Sequence, residues 1–507
     1  MKSNLAMDST NPAKKRKDSS AASDPPRPGN DDDPGNTLPA NFSLADLNRL
    51  IDQRVEDVKA ETLALTSRVD GLQRENVGLL LRCESLERSI QVLKKEGNWD
   101  YSAPDVPRSH WIDQGYDEED AEEAENLIQS IENNTYCLRS GADGVNVSCA
   151  TLAISDVAMD PHWEQLANAI QLSERISKLS FNNVQLDEHA LQMIETSVRQ
   201  KGIVELYLER NQYRGGEGVQ FAIDVLKSNR SVVAFRWRDN SFYSTDDACE
   251  LVDAVLEHPS TSEVSFTSSF HDGITTYSPV KRLFCGIGSD TLLDIYLGDN
   301  GIKTNGDRCI PDFLSANSPL KTLSLWGNRL TDDDALNIAV ALQWNTNLRY
   351  LNLEFNALTE EGKDVMYHQA IFDISPLDLS KLITVYEANL NSVSGANHVC
   401  QIVGISGRKT FMMNNRKKST KWNRSRKLFC LLARRHLDDR NMTQIESEFS
   451  EDGMGLLPHV LACINTYATE YQAKFNLSLL FELARDWKTP EMYQFRNSTM
   501  LSSDIQR

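Results

Sequence analysis

The chain has 507 residues, 40% of them hydrophobic, and a formal net charge of −20 at neutral pH. That length exceeds one ordinary core and predicts several segments, while the acidity speaks against free duplex DNA as a general partner. No apolar run reaches the ~18 residues of a membrane span, no leader-type hydrophobic core opens the chain, and the nine cysteines are scattered without a CxxC pair, which predicts a reducing compartment and neither disulfides nor zinc.

Residues 1–40 are rich in Pro, Asp, Ser and Gly and read as a disordered tail. Within it Lys14, Lys15, Arg16 and Lys17 form a basic cluster that a nuclear import receptor could grip, or that merely adds solubilising charge. Residues 41–96 read as a coiled coil. Every seventh residue is apolar, through Leu44, Ile51, Val58, Leu65, Leu72, Leu79, Leu86 and Leu93, at heptad position d. Position a holds Asn48, Val55, Thr62, Val69, Asn76, Cys83 and Ile90. A buried Asn at a favours two parallel strands, because its amides pair only in register, so a homodimer is expected through Leu65, Leu72, Asn76, Leu79, Leu86 and Leu93. The competing arrangement is a lone amphipathic helix folded on the rest of the chain. A basic-leucine-zipper reading is excluded, because Asp31-Asp32-Asp33-Pro34-Gly35 precedes the coil where a continuous basic helix is needed.

Residues 97–140 read as an acidic linker and an N-terminal cap. The stretch 117–125 holds seven acids in nine residues, a solvated run by default, and residues 125–138 predict a capping helix. From 141 to 395 a motif of the form LxxLxLxxNxL recurs, clearest from Leu320 to Leu330 and from Leu348 to Leu358. The first leucine of each LxL pair falls at Leu152, Leu179, Leu206, Phe235, Val264, Ile295, Leu323 and Leu351, about 28 residues apart. Alternation at each pair predicts a short strand with one buried face. The Asn at 211, 240, 300, 328 and 356 can satisfy backbone groups of the turn that follows. Apolar residues at helical spacing fill the second half of each repeat, behind candidate N-caps Thr245, Thr331 and Thr359. Leu382, Val385 and Asn389 read as a degenerate last repeat, and Phe270-His271-Asp272-Gly273 as a protruding loop.

A full helix in a repeat of this length resembles the ribonuclease-inhibitor type of leucine-rich repeat, over roughly half the chain. The resemblance implies an α/β solenoid: a curved parallel sheet with outer helices, preceded here by the long coiled-coil helix and followed by a helical C-terminal region. Residues beside the LxL leucines should then share one concave face: Tyr207, Glu209, Arg236, Arg238, Tyr296, Trp326 and Glu354. Tyr, Trp and Arg are the types enriched at interface hot spots. Residues 396–507 read as a basic and helical region. Between Arg408 and Arg435 lie 11 Lys or Arg, no acid, and Phe411, Trp422 and Phe429, a pattern that suits either RNA stacking or a helical cap.

No catalytic motif occurs: the stretch 404–409 lacks phosphate-loop spacing, and HExxH and GxSxG are absent. The expectation is a non-catalytic scaffold with no cofactor and no metal, in nucleus or cytoplasm, dimerised by the coil and binding a protein ligand on the concave face. The alternatives are a regulator of a small GTPase, by analogy with the leucine-rich repeat activators of Ran, and RNA binding through 408–435.

Overall fold

The computed structural model describes residues 43–96, 99–154, 156–270, 277–286, 291–372, 392–393, 396–405 and 414–437. Two compact units divide at Gly78. The basic cluster at 14–17, the residues read as a degenerate last repeat at 382–389, and Phe411 lie outside the described residues.

The first unit consists, in its described part, of the helix α1, Leu44–Glu96, which continues into the second unit. Its heptad seam is uncovered: Ile51, Val58, Leu65 and Leu72 are each at least half exposed, and Val55 and Val69 nearly so.

The second unit is an α/β solenoid. Helices α2 (Arg108–Asp113) and α3 (Glu118–Arg139) precede the strand β1, Gly144–Ala153. Then α4 (Asp160–Leu172), β2 (Lys178–Leu186), α5 (Glu188–Val198), β3 (Glu205–Glu209) and a two-residue β4 (Gln212–Tyr213) follow. After them come α6 (Glu217–Ser228), β5 (Ala234–Arg238), α7 (Thr245–Glu257), β6 (Glu263–Ser265) and α8 (Tyr277–Gly286). The series continues through β7 (Asp294–Tyr296), α9 (Cys309–Ser315), β8 (Thr322–Ser324), α10 (Asp332–Trp344), β9 (Tyr350–Asn352) and α11 (Glu360–Phe372). It closes with β10 (Gln401–Val403) and α12 (Thr420–Leu437). The strands pair in parallel in chain order, with β4 off the path against β2. The register aligns Leu179, Leu206, Phe235, Val264, Ile295, Leu323 and Leu351 in one buried column.

An amide ladder locks each turn to the next. Asn211 Nδ2 donates to Phe181 O at 2.9 Å, and Asn240 Nδ2 to Leu208 O at 2.6 Å. Asn300, Asn328 and Asn356 repeat the bond to Phe266, Leu297 and Leu325 at 2.6, 2.9 and 2.8 Å. In the repeat without an Asn, the Ser269 hydroxyl fills the place and donates to Trp237 O at 2.7 Å. The carbonyls served are those of the second LxL residue in the preceding repeat, buried where water cannot reach them.

Five sequence expectations are corrected. The inward pair of the first repeat is Val145 and Val147, in register with Leu179 and Phe181, and not Leu152 and Ile154. Leu152 is 37% exposed, whereas Val145 and Val147 are fully buried. The strand starts earlier because α3 packs on β1 and offers its side chains to it. The acid run 117–125 is no linker: it opens α3, where the Asp117 carboxylate accepts the Glu119 and Asp120 amides at 2.9 Å and the acids suit the helix dipole. Phe270, read as the start of a protruding loop, is buried in the core and stacked on Phe242 at 5.6 Å, while residues 271–273 of that loop lie outside the described residues. The N-cap of α7 is Ser244, which accepts the Asp247 amide, and not Thr245. The solenoid also runs past residue 395, since Ile402 pairs with Leu351.

Two buried histidines are held in neutral form. His162 Nε2 donates to Pro104 O at 3.1 Å while Nδ1 accepts from the Tyr101 hydroxyl at 2.7 Å. His258 Nε2 donates to Asn229 O at 2.9 Å. Burial lowers both pKa values below the ordinary 6.5. The unfolded chain then binds more protons than the native one as pH drops through that range, so stability falls with pH there. Denaturation midpoints measured from pH 7.5 down to 5 should decline, and His258→Gln should flatten the decline; an unchanged slope would show that the ring does not drive it. Val145→Ala should cost about 1–2 kcal/mol while Leu152→Ala stays within about 0.5 kcal/mol. Urea unfolding in which Leu152→Ala cost more would restore the earlier frame.

Candidate functional site

Among the described residues, two surfaces gather several exposed apolar side chains. The first is the α1 seam. It continues into the second unit, where Leu79, Leu86, Ile90 and Leu93 are about half exposed or more. There α1 touches α4 through other residues: Ser85 is buried, and Ser89 Oγ donates to Gln171 O at 3.1 Å. With a at 83 and 90 and d at 86 and 93, Ser85, Arg88, Ser89 and Val92 fall at positions c, f, g and c. The helix therefore rests on the solenoid by its back and keeps the a and d column free. Asn76 and the exposed thiol of Cys83 sit in that free column.

The second surface is the sheet face turned away from the helices. All seven residues predicted for it stand there, none of them buried. They form two unlike halves. Toward β2, charges neutralise one another. Lys178 Nζ meets Glu205 at 3.2 Å, Arg236 Nη2 meets Glu263 Oε1 at 2.7 Å, and Arg238 reaches Glu209 at 3.5 Å. The Tyr207 ring lies between Lys178 and Arg236, 4.7 and 4.2 Å from its centroid. Burial and a hydrogen bond to Glu205 push its phenol up to about 12. These partners are the residues just before the first LxL leucine, a column that the sequence motif does not mark.

Toward β9 the face is aromatic. Trp326 lies over Gly298, where any Cβ would strike the indole, and is 37% exposed. Its edge-to-face partner is Phe355, with centroids 6.3 Å apart. Phe355 was not anticipated from the sequence. It is 79% exposed and has a φ of +57°. Each repeat turn uses a left-handed residue here: Asn183, Arg210, Asp239, Ser268, Asp299 and Gly327 hold the equivalent place. Short polar residues and glycine tolerate that conformation, whereas a bulky side chain pays on the order of 1 kcal/mol. The signal available in the sequence was a phenylalanine in a column of small or polar residues. Tyr296 and Tyr350 extend the aromatic half, with Lys417 Nζ 5.7 Å over the Tyr350 ring.

Part of the basic C-terminal segment is taken up by packing. Trp422, Phe429, Arg426 and Lys427 are buried. Lys427 Nζ donates to Asn397 O at 2.7 Å, and burial drives its pKa well down. Trp422 and Phe429 are therefore not available to stack on bases, whereas Arg416, Lys417, Lys418 and Lys421 are exposed.

Among the described residues, no group of three or more His, Cys, Asp or Glu is placed to hold a metal ion, and no helix is long and apolar enough to cross a membrane. No family model and no curated protein matches the chain. A solved structure, the yeast Rad7 and Elc1 complex, is similar to it at 13% identity, over 60% of this chain and 84% of that chain, with a TM-score of 0.25. Likeness at that level leaves the functional argument to the residues themselves.

The strain at Phe355 has a measurable sign. Phe355→Asn should leave stability unchanged or raise it by up to about 1 kcal/mol. A clear loss in urea unfolding would mean that the ring holds the fold and is not merely presented.

Proposed function

We propose that this chain is a non-catalytic scaffold of the ribonuclease-inhibitor-like leucine-rich repeat type. Its coil joins two copies, and the open sheet face of each binds a protein ligand. The observation that carries this reading is the α1 seam, a continuous apolar column left exposed while the back of the same helix is used against the solenoid. Covering such a column with a second copy removes its apolar surface from water. An Asn at position a favours the two-stranded parallel form. The aromatic half around Trp326 and Phe355 is the anchor of the ligand face, because rigid rings bury much area at little entropic cost. Two faces in one assembly give avidity for a paired or repeated ligand. No specific observation favours the GTPase-regulator alternative.

Light scattering on the full chain should report twice the chain mass. Leu65→Glu with Leu72→Glu should reduce it to the monomer without loss of helix content. In the parallel dimer the Cys83 thiols face each other, so a short bifunctional maleimide should cross-link wild type and not Cys83→Ser. A monomeric wild type, or cross-linking indifferent to Cys83, would overturn the seam assignment. On the ligand face, binding of any captured protein should be lost in Trp326→Ala with Phe355→Ala. It should survive Trp344→Ala, which alters the exposed ring at the end of α10.

A further inference from the structure

The open face holds one arrangement twice, complete at one end and short of a component at the other. In the half toward β2, Tyr207 lies between Lys178 and Arg236. Each of those cations is also paired with a carboxylate, Glu205 for Lys178 and Glu263 for Arg236. Ring and acid attract the same positive charge, the ring through its negative face. All three components come from the chain itself.

Toward β9 the rings and the acids recur without the cation. Tyr296 follows the first apolar residue of its LxL pair, as Tyr207 does. The next strand sets Arg236 opposite Tyr207 but only Ser324 opposite Tyr296, and on the other side Tyr296 meets Ser265. Asp294 takes the place of Glu205 one residue before the pair, yet its cross-strand partner is Thr322, where Glu205 has Lys178. Glu354 stands beside Trp326 in the adjoining repeat, its carbonyl accepting the Gly327 amide at 2.8 Å. Both acids act on the rings. Burial, then Asp294 and Glu263, raise the Tyr296 phenol, and burial, then Glu354, raises that of Tyr350. Arg236 acts on Tyr296 in the other direction but is committed to Glu263. Glu205, Glu263 and Glu209 each hold a base, whereas among the described residues Asp294 and Glu354 hold none. Lys417, 5.7 Å over the Tyr350 ring, shows that an ammonium can sit against a ring here.

We infer that the aromatic end of the open face takes a basic peptide segment, with one cationic side chain set against Tyr296 and Asp294 and a second against Trp326 and Glu354. This rests on the open face being the ligand face and names the chemistry of what it binds. Arginine suits both places better than lysine, because its planar guanidinium stacks on a ring while its edge bonds a carboxylate. Asp294 and Glu354 lie two strands and four residues apart in the sheet, roughly 16 Å by ordinary strand spacings, or about five residues of extended peptide. The net charge of −20 draws a basic segment toward the chain, and the paired acids and rings fix where it docks.

Panning a random dodecapeptide phage library on the full chain should enrich peptides with two Arg or Lys. A fluorescein-labelled synthetic copy of the leading peptide, followed by anisotropy, should lose about tenfold or more in affinity when its basic residues become Gln. Asp294→Asn and Glu354→Gln should each weaken it by about threefold or more, and added salt should weaken it further. Thr322→Lys would pair with Asp294 as Lys178 does with Glu205, and should weaken binding likewise while the melting curve stays that of wild type. Glu360→Gln with Glu361→Gln, on α11, should change nothing, which separates the site from general attraction to an acidic chain. Peptides that depend on Trp326 and Phe355 but carry no cation, or that ignore Asp294→Asn with Glu354→Gln, would overturn the inference and leave the ligand face standing. A panning that returns no peptide sensitive to Trp326→Ala with Phe355→Ala would remove the ligand face, and this inference with it.

Discussion

Successive turns of this solenoid depend on a side chain, an amide in five repeats and the Ser269 hydroxyl in one, that reaches back into the turn before it. A strand of three to five residues leaves its outgoing carbonyl stranded inside the core as the chain swings away toward the helix. The Asn of the next repeat supplies the missing donor, and its own oxygen accepts a backbone amide, as Asn211 does from Val184 at 3.1 Å and Asn328 from Ile302 at 2.9 Å. Every repeat is thereby bonded through its neighbour's side chain as well as through the strand ladder. The left-handed residue just before each Asn follows from the same geometry, since the chain must turn sharply to bring that amide into place.

A parallel sheet built this way has two raw edges, and the chain closes both with the same device. At the N-terminal edge Asn134 of α3 accepts from Asn146 N at 2.7 Å and donates to Asn146 O at 2.9 Å, while Ser130 accepts the Ser148 amide. At the other edge Asn414 accepts from Ile402 N at 3.2 Å and donates to Ile402 O. A side-chain amide stands in for a further strand, which meets the backbone's hydrogen-bonding demand without offering an edge to another chain. The buried lysine and arginine of α12 serve the same closure by donating to carbonyls at the end of the array, which is why a basic segment becomes part of a cap.

With edges and turns satisfied internally, the surfaces left unsatisfied stand out. The open face near β2 neutralises its own charges through the Glu205, Arg236 and Glu263 row. Near β9 it presents rings instead, one of them held at a conformational cost. The apolar column of α1 is exposed. Aromatic and apolar surface thus lie in separate places of the described residues.

Much of this was legible in the sequence. The repeat period, the strand column and the seven side chains of the open face follow from alternation, because pleating sends alternate residues to opposite faces wherever the motif is intact. The helical heptads follow from the recurrence of leucine. What the sequence alone misplaced lies where the motif is weak. Leu152 mimics the pattern by chance, and only the pairing of Val145 with Leu179 reveals the true first strand. The gap from Leu351 to Ile402 is too long for any fixed period. Phe355 and the salt-bridge row could be recognised only once neighbouring turns were stacked, since each owes its character to residues distant in the chain. Periodicity is a local property and survives in one dimension. Whether a side chain is paired, strained or left without a partner depends on what the next turn brings against it, and that was decided by the tertiary structure.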